Sequence, residues 1–350
     1  MTRESPRLTV PVAIAVLAAA LFGAATPASK LLLSALTPFQ LAGLLYLGAA
    51  LGVAPAAWRR EKPRLPRDRA NRARLFGAVV AGGIAGPVLL LLALRSAPAA
   101  SVSLWLNFEV AATALLGALM FREHLGISGW SGVVAVFSGA AILSIPHGAA
   151  GLAAATLVLA ACACWGLDNQ LSSLIDGLTP SQSTFWKGLV AGVANLAIGL
   201  ALHPLAAGAV PVLAALFVGV WAYGASIALH VSAAQSLGAT RAQIAFASAP
   251  FFGVLFSVLA LGEPLTVAQL ASGVLFAAGI ALFIRARHAH AHVHRAFEHE
   301  HAHRHDDGHH THAHPGSRPS TEHSHPHAHE PLTHTHPHLP DLHHRHGHDE

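Results

Sequence analysis

Ten predominantly apolar stretches of 18 residues or more follow one another between residues 8 and 284. A helix needs about 20 such residues to cross the hydrocarbon layer of a bilayer, so each is a candidate span. They run approximately Leu8–Ala25, Pro38–Trp58, Leu75–Leu94, Pro98–Phe121, Ile127–Ile145, Leu152–Leu174, Ser183–Leu202, Val210–Ser236, Gln243–Leu261 and Val267–Ile284. Charged residues make up 11% of the chain, against ~25% in soluble domains. The fold expected is an all-α membrane protein with ten transmembrane helices. Arg3, Arg7 and the small residues Ala24-Ala25-Thr26 give the first stretch the look of a signal peptide, but it has a counterpart later in the chain and is read as a span.

Basic residues give the orientation. Arg59, Arg60, Lys62, Arg64, Arg67, Arg69, Arg72 and Arg74 crowd the segment between spans two and three, which places that loop in the cytoplasm. Both termini then fall inside, with Arg122, Arg241, Arg285 and Arg287, while Lys30, Arg95 and Glu263 fall outside. The membrane expected is the plasma, or inner, membrane. The pI near 9.6 does not indicate nucleic-acid binding, because these basic residues form no basic aromatic face. Cys162 and Cys164 are read as packing residues, since they lack disulfide or CxxC zinc spacing.

The chain repeats itself. Leu119-Met120-Phe121-Arg122-Glu123-His124-Leu125 aligns with Leu259-Ala260-Leu261-Gly262-Glu263-Pro264-Leu265 at an offset of 140, and Gly139 meets Gly279. Phe22-Gly23 falls on Trp165-Gly166, and Leu36-Thr37-Pro38 on Leu178-Thr179-Pro180. Five spans per copy is an odd number, so the second copy should be inverted, an architecture common among secondary transporters. The expected divisions are 1–146, 147–286 and a tail, 287–350.

The Ala-Pro-Ala-Ala-Ser segment at 97–101, the long apolar span after it, Arg-Glu-His-Leu at 122–125 and the Gly-rich Trp130–Leu143 return as Leu237–Leu282. In these features the chain resembles the EamA-type branch of the drug/metabolite transporter superfamily over approximately residues 10 to 285. The resemblance implies a ten-helix inverted-repeat carrier with a central cavity. It supplies no catalytic motif and no particular substrate.

Polar groups at membrane depth are costly and should face a cavity or a partner. Glu109 stands near Asn107 and four residues after Trp105, a spacing that would put Trp105 and Glu109 on one helical face. Its carboxylate could hold an amine or cation, carry a proton, or bond a neighbouring helix. Asp168 and Asn169 could line the same cavity or tie helices together. Lys187 and Asn195 share a face of span seven, and Lys187 could either snorkel or neutralise Asp168. His230 is a cavity candidate, with packing as the alternative. Glu123 and Glu263 are expected to serve helix ends, Arg95 to snorkel, and Gly23, Pro27, Gly86-Pro87, Pro250 and Gly253 to permit close packing or hinges. No nucleophile and base constellation appears, so an enzyme is not expected.

Of the 27 histidines, 23 lie after residue 287. This segment is expected to be disordered, having six prolines and few aliphatic residues. His299, His301, His303, His305, His323, His325, His327, His329, His334, His336 and His338, with Glu298, Glu300, Asp306 and Asp307 nearby, form a non-specific ligand set for Zn, Ni, Co or Cu ions. No cofactor is otherwise required.

The function expected is alternating-access transport, in the exporting direction, of a small metabolite or drug-like solute. Divalent transition-metal transport, and metal buffering or sensing by a membrane anchor, are the alternatives. Expected partners are the lipid bilayer, a small-molecule substrate and transition-metal ions at the tail. A homodimer is left open.

Overall fold

Threonine at three helix starts sets where the chain enters its spans. Thr37 and Gln40, then Thr179 and Gln182, each exchange side-chain and backbone hydrogen bonds in a capping box, with proline at the first helical turn. These are the two Leu-Thr-Pro sites aligned by the repeat. Thr266 and Gln269 repeat the device before the last helix.

The computed structural model describes residues 9–58, 64–66, 68–121, 126–175, 178–237, 242 and 245–285, with tail segments 289–294, 297–303, 323–329 and 332–337. The helices are α1 Thr9–Gly23, α2 Ala25–Leu32, α3 Pro38–Ala57, α4 Arg69–Ala78, α5 Gly86–Ser96, α6 Ala99–Trp105, α7 Phe108–Phe121, α8 Ile127–Ser144, α9 Gly148–Ser173, α10 Pro180–Leu202, α11 Ala209–Val218, α12 Ser226–Leu237, α13 Ala249–Leu261 and α14 Val267–Arg285.

Among the described residues eight helical runs are long and apolar enough to cross a membrane, where ten were expected. The other two candidates, Ala249–Leu261 and Val267–Phe283, are shorter apolar helices. The ninth is shortened by a turn at Ala247-Ser248, and the expected start of that span at Gln243 lies outside the described residues. Two expected loops also prove to be helix. Lys30 belongs to α2, because its ammonium caps the Leu94 and Ala97 carbonyls at the end of α5. Arg69, Arg72 and Arg74 belong to α4, whose first turn is capped by Asp68 accepting from the Asn71 backbone N–H at 2.7 Å. That bond holds the Asp68 carboxyl below its usual range.

The packing is paired. α3 lies along α10, and α8 along α14, so equivalent helices of the two copies meet each other. α3 and α10 approach through glycine: a β-carbon on Gly43 would lie 2.6 Å from the Leu196 backbone nitrogen, and one on Gly188 2.9 Å from the Tyr46 carbonyl oxygen. Such small-residue contacts are how helices associate where lipid is as apolar as leucine. The core centres on Trp105, Phe276, Leu41, Leu45, Leu91 and Leu94.

The tail is not without structure where it is described. Ala289–His294 pairs antiparallel with Leu332–Pro337, and Phe297–His303 with His323–His329. The alternation of histidine with other residues has the period-two pattern of strands, a signal that composition alone concealed.

One contact joins the loop after α13, in the second copy, to a helix of the first. Gly262 ends α13 in the left-handed conformation at φ 66°, which only a residue without a β-carbon adopts readily. The next residue, Glu263, then accepts the Ala99 and Ala100 backbone N–H groups, both at 2.8 Å. This is the helix-end role expected of Glu263; Glu123 lies outside the described residues. Glu263→Ala should destabilise the folded chain by about 1–2 kcal/mol, the usual worth of a cap. A thermal-unfolding midpoint in detergent that stays at the wild-type value would contradict this.

Candidate functional site

The third span of each copy departs from α-helical winding. Val79–Ala85 and Gly219–Ala225 are π-helical, and they lie 140 residues apart, the repeat offset. π-turns leave backbone carbonyls without their usual helical partners, and within a membrane those need others. In the first copy, side chains from three helices supply them. Tyr46 Oη donates to the Gly82 carbonyl at 2.6 Å, Trp165 Nε1 donates to the same oxygen at 3.0 Å, and Asn195 Nδ2 donates to the Gly83 carbonyl at 2.9 Å.

The fourth span is broken as well, at Leu106-Asn107, and the equivalent turn falls at Ala247-Ser248. Asn107 Nδ2 bonds back to the Leu104 carbonyl at 2.7 Å, and Ser248 Oγ to the Ala245 carbonyl at 2.6 Å. The break changes which residues share a face. Trp105 is 0% exposed within the apolar core and Asn107 is 1% exposed, while Glu109, in the first turn of α7, is half-buried. The four-residue spacing that would have put Trp105 beside Glu109 does not survive an interrupted helix.

Glu109 instead faces α9. Its Oε1 accepts from Asn169 Nδ2 at 3.1 Å. One residue earlier, Asp168 is paired with Lys187 of α10: the ammonium lies 2.9 Å from Oδ1 and 3.0 Å from Oδ2. Ser172 Oγ donates to Asp168 Oδ1 at 2.8 Å and lies 3.3 Å from Lys187 Nζ. Gly82 makes room for this pair, since a β-carbon there would collide with the Asp168 carboxylate. Glu109, Asp168, Asn169, Lys187 and Asn195 thus belong to one polar group spread over α7, α9, α10 and the first π segment. Arg95 is exposed at the opposite end of its helix, and Cys162 packs with its thiol 3.8 Å from the Leu106 carbonyl.

An aromatic panel adjoins this group. Tyr46 and Tyr223 are the only tyrosines in the sequence, and their rings lie 6.0 Å apart. Phe22 meets Tyr223 at 5.6 Å and Phe246 at 5.3 Å, and His230 lies 4.6 Å from Phe246. The His230 Nδ1 atom is buried with no hydrogen-bond partner among the described residues. All five rings, and Trp165, are partly accessible, unlike Trp105. Sequence reasoning missed Tyr46, Phe22 and Phe246 as site residues; the rarity of tyrosine and the repeat alignment of Phe22 with Trp165 were the available signals.

A bundle of apolar helices with matched breaks in its two halves and a charged group between them defines an integral membrane protein of the carrier class. The chain belongs to the EamA-like transporter family, whose profile matches residues 10–145 and again 152–285. It is 27% identical over 290 residues to an uncharacterized transporter of Methanothermobacter thermautotrophicus, a match covering 74% of this chain and 81% of that protein. A protein of known crystal structure superposes with TM-score 0.55 at 18% identity, covering 80% of this chain and 97% of its own, a likeness of fold alone.

Breaking a largely buried ion pair from one side strands the other charge, at a cost of about 3–5 kcal/mol. Lys187→Met should therefore lower stability strongly, whereas Lys187→Met combined with Asp168→Asn should recover most of the loss. Thermal unfolding of both single variants and the double variant checks this; additive losses would rule out direct coupling.

Proposed function

We propose that the protein is a secondary carrier of ten spans, arranged as two inverted five-helix repeats at 1–146 and 147–286, that exports a small metabolite or drug-like solute by alternating access. The observation that carries this reading is the matched pair of broken fourth spans and π-helical third spans around one polar group. Carriers of this kind bind substrate where helices are discontinuous, because unwound backbone and half-helix ends supply polar contacts at membrane depth. Glu109, Asp168, Asn169, Lys187 and Asn195 serve as the binding group, with His230 and the aromatic panel as the apolar wall. The basic segment 59–74 supports cytoplasmic termini in the plasma (inner) membrane.

The tail, 287–350, adds a cytosolic metal-binding segment in this reading. Its alternating histidines offer imidazole ligands for Zn, Ni, Co or Cu. Transition-metal transport draws its support from the tail alone: no group of three or more His, Cys, Asp or Glu able to hold a metal occurs among the described residues.

Purified protein in vesicles tests the reading. It should move at least one solute of a panel of amino acids, nucleosides, sugars and aromatic amines faster than protein-free vesicles do. Glu109→Gln should abolish that flux while leaving insertion intact, and a chain ending at Arg287 should retain it. Flux that is unchanged in Glu109→Gln would remove Glu109 from the mechanism, and flux lost on removing the tail would favour the metal-dependent alternatives. Equilibrium dialysis against zinc should show several ions bound by the full chain and far fewer by the shortened one.

A further inference from the structure

Three span ends meet around a cleft of about 190 Å³, far from the polar group in sequence and in structure. Thr37 caps the start of α3, Arg95 lies in the last turn of α5, and His203 stands at the end of α10. All three helices belong to runs long and apolar enough to cross a bilayer. The cleft therefore lies at a boundary between hydrocarbon and water. Its floor is the seam between the two copies: a β-carbon on Gly199 of α10 would lie 2.8 Å from the Gln40 backbone nitrogen, and the Gln40 amide donates to the His203 carbonyl at 2.9 Å.

The lining has two chemistries. Leu92 and Leu202 are exposed on spans of a membrane protein, with Phe39 partly exposed between them, so this side of the cleft faces acyl chains. Arg95 and His203 are exposed on the other side, and neither side chain has a hydrogen-bond or ion-pair partner among the described residues. Thr37 Oγ1 accepts the Gln40 N–H and keeps its own proton to donate. No acidic residue is among those lining the cleft.

These features select among ligands. A free phosphate ion would satisfy Arg95 and leave the exposed leucines unused. A neutral lipid would cover the leucines and leave the guanidinium unanswered. A zwitterionic headgroup would bring an ammonium beside Arg95 with no carboxylate to receive it. We propose that the cleft binds the phosphate of an anionic glycerophospholipid, Arg95 taking its oxygens in the planar fork that suits phosphate, Thr37 and a ring N–H of His203 donating beside it, and the acyl chains running over Leu92, Phe39 and Leu202. The inference needs the chain to lie in a membrane and does not need it to carry a solute.

Native mass spectrometry of the full-length protein, titrated in detergent, measures the affinity for the first lipid bound. Dioleoylphosphatidylglycerol is the probe; dioleoylphosphatidylcholine, dioleoylglycerol and glycerophosphoglycerol, its headgroup without chains, are the controls. The anionic lipid should bind about tenfold more tightly than each control, the worth of one charge-assisted contact pair. Arg95→Gln should reduce that preference to about twofold, and His203→Gln should reduce it less. A preference unchanged in Arg95→Gln would overturn the proposal, as would equal binding of the anionic and zwitterionic lipids to the wild-type protein. Headgroup alone binding as tightly as the lipid would make the cleft a site for a soluble phosphate ester and overturn the lipid as its occupant. Cross-linking to the wild-type protein decides the matter even if the variants fail to fold. Phosphatidylglycerol with a photoreactive headgroup should label residues 37–39, 92–95 and 199–203, and labelling that falls elsewhere would sink the site.

Discussion

In a bilayer the backbone has no water to fall back on, and the carbonyls of Gly82 and Gly83 are where this chain meets that constraint most sharply. The π-helical turn displaces them from the ordinary ladder, and Tyr46, Trp165 and Asn195 answer from three separate helices. Each of these side chains fixes its own helix against the third span. Trp165 stands one turn before Asp168 on α9, so the bond to Gly82 also sets where the acidic end of the Asp168–Lys187 pair lies. The polar group is thus positioned by backbone chemistry before any substrate is considered.

Much of this was legible in the sequence, because the signals concerned were long or paired. The apolar runs located the spans, the shared Leu-Thr-Pro sites coincide with capping boxes, and of the two roles open to Lys187, snorkelling or neutralising Asp168, the second is the one found. What escaped depends on departures from 3.6 residues per turn. A π segment and a helix break are both spelled in ordinary apolar residues, so Val79–Ala85 and Leu106-Asn107 read as uninterrupted helix. Every inference that counted residues across such a point inherited the error, which is why Trp105 appeared to share a face with Glu109. Lys30 was misplaced for the opposite reason: a charge looked like a loop, yet here it satisfies carbonyls at a helix end.

The two copies match in their backbone breaks and differ in their chemistry. Where the first copy has Glu109 after its break, the second has Ala249-Pro250, and the repeat places Ala25 opposite Asp168 and Leu45 opposite Lys187. The duplicated frame therefore holds a site that is charged on one side and aromatic on the other. Symmetry in such a chain belongs to the breaks in the helices, and asymmetry to the side chains placed around them.

The contact of Glu263 with the start of α6 has a consequence for the order in which the protein is made. Pro98 offers α6 no side-chain cap, and the carboxylate that binds the Ala99 and Ala100 N–H groups is synthesised more than 160 residues later. The Gln40 amide likewise waits for the carbonyl of His203. As the ribosome delivers the first copy, the start of α6 still lacks its carboxylate partner, which has not yet been translated. The second half thus completes a helix start of the first, and that contact forms only once both halves are present.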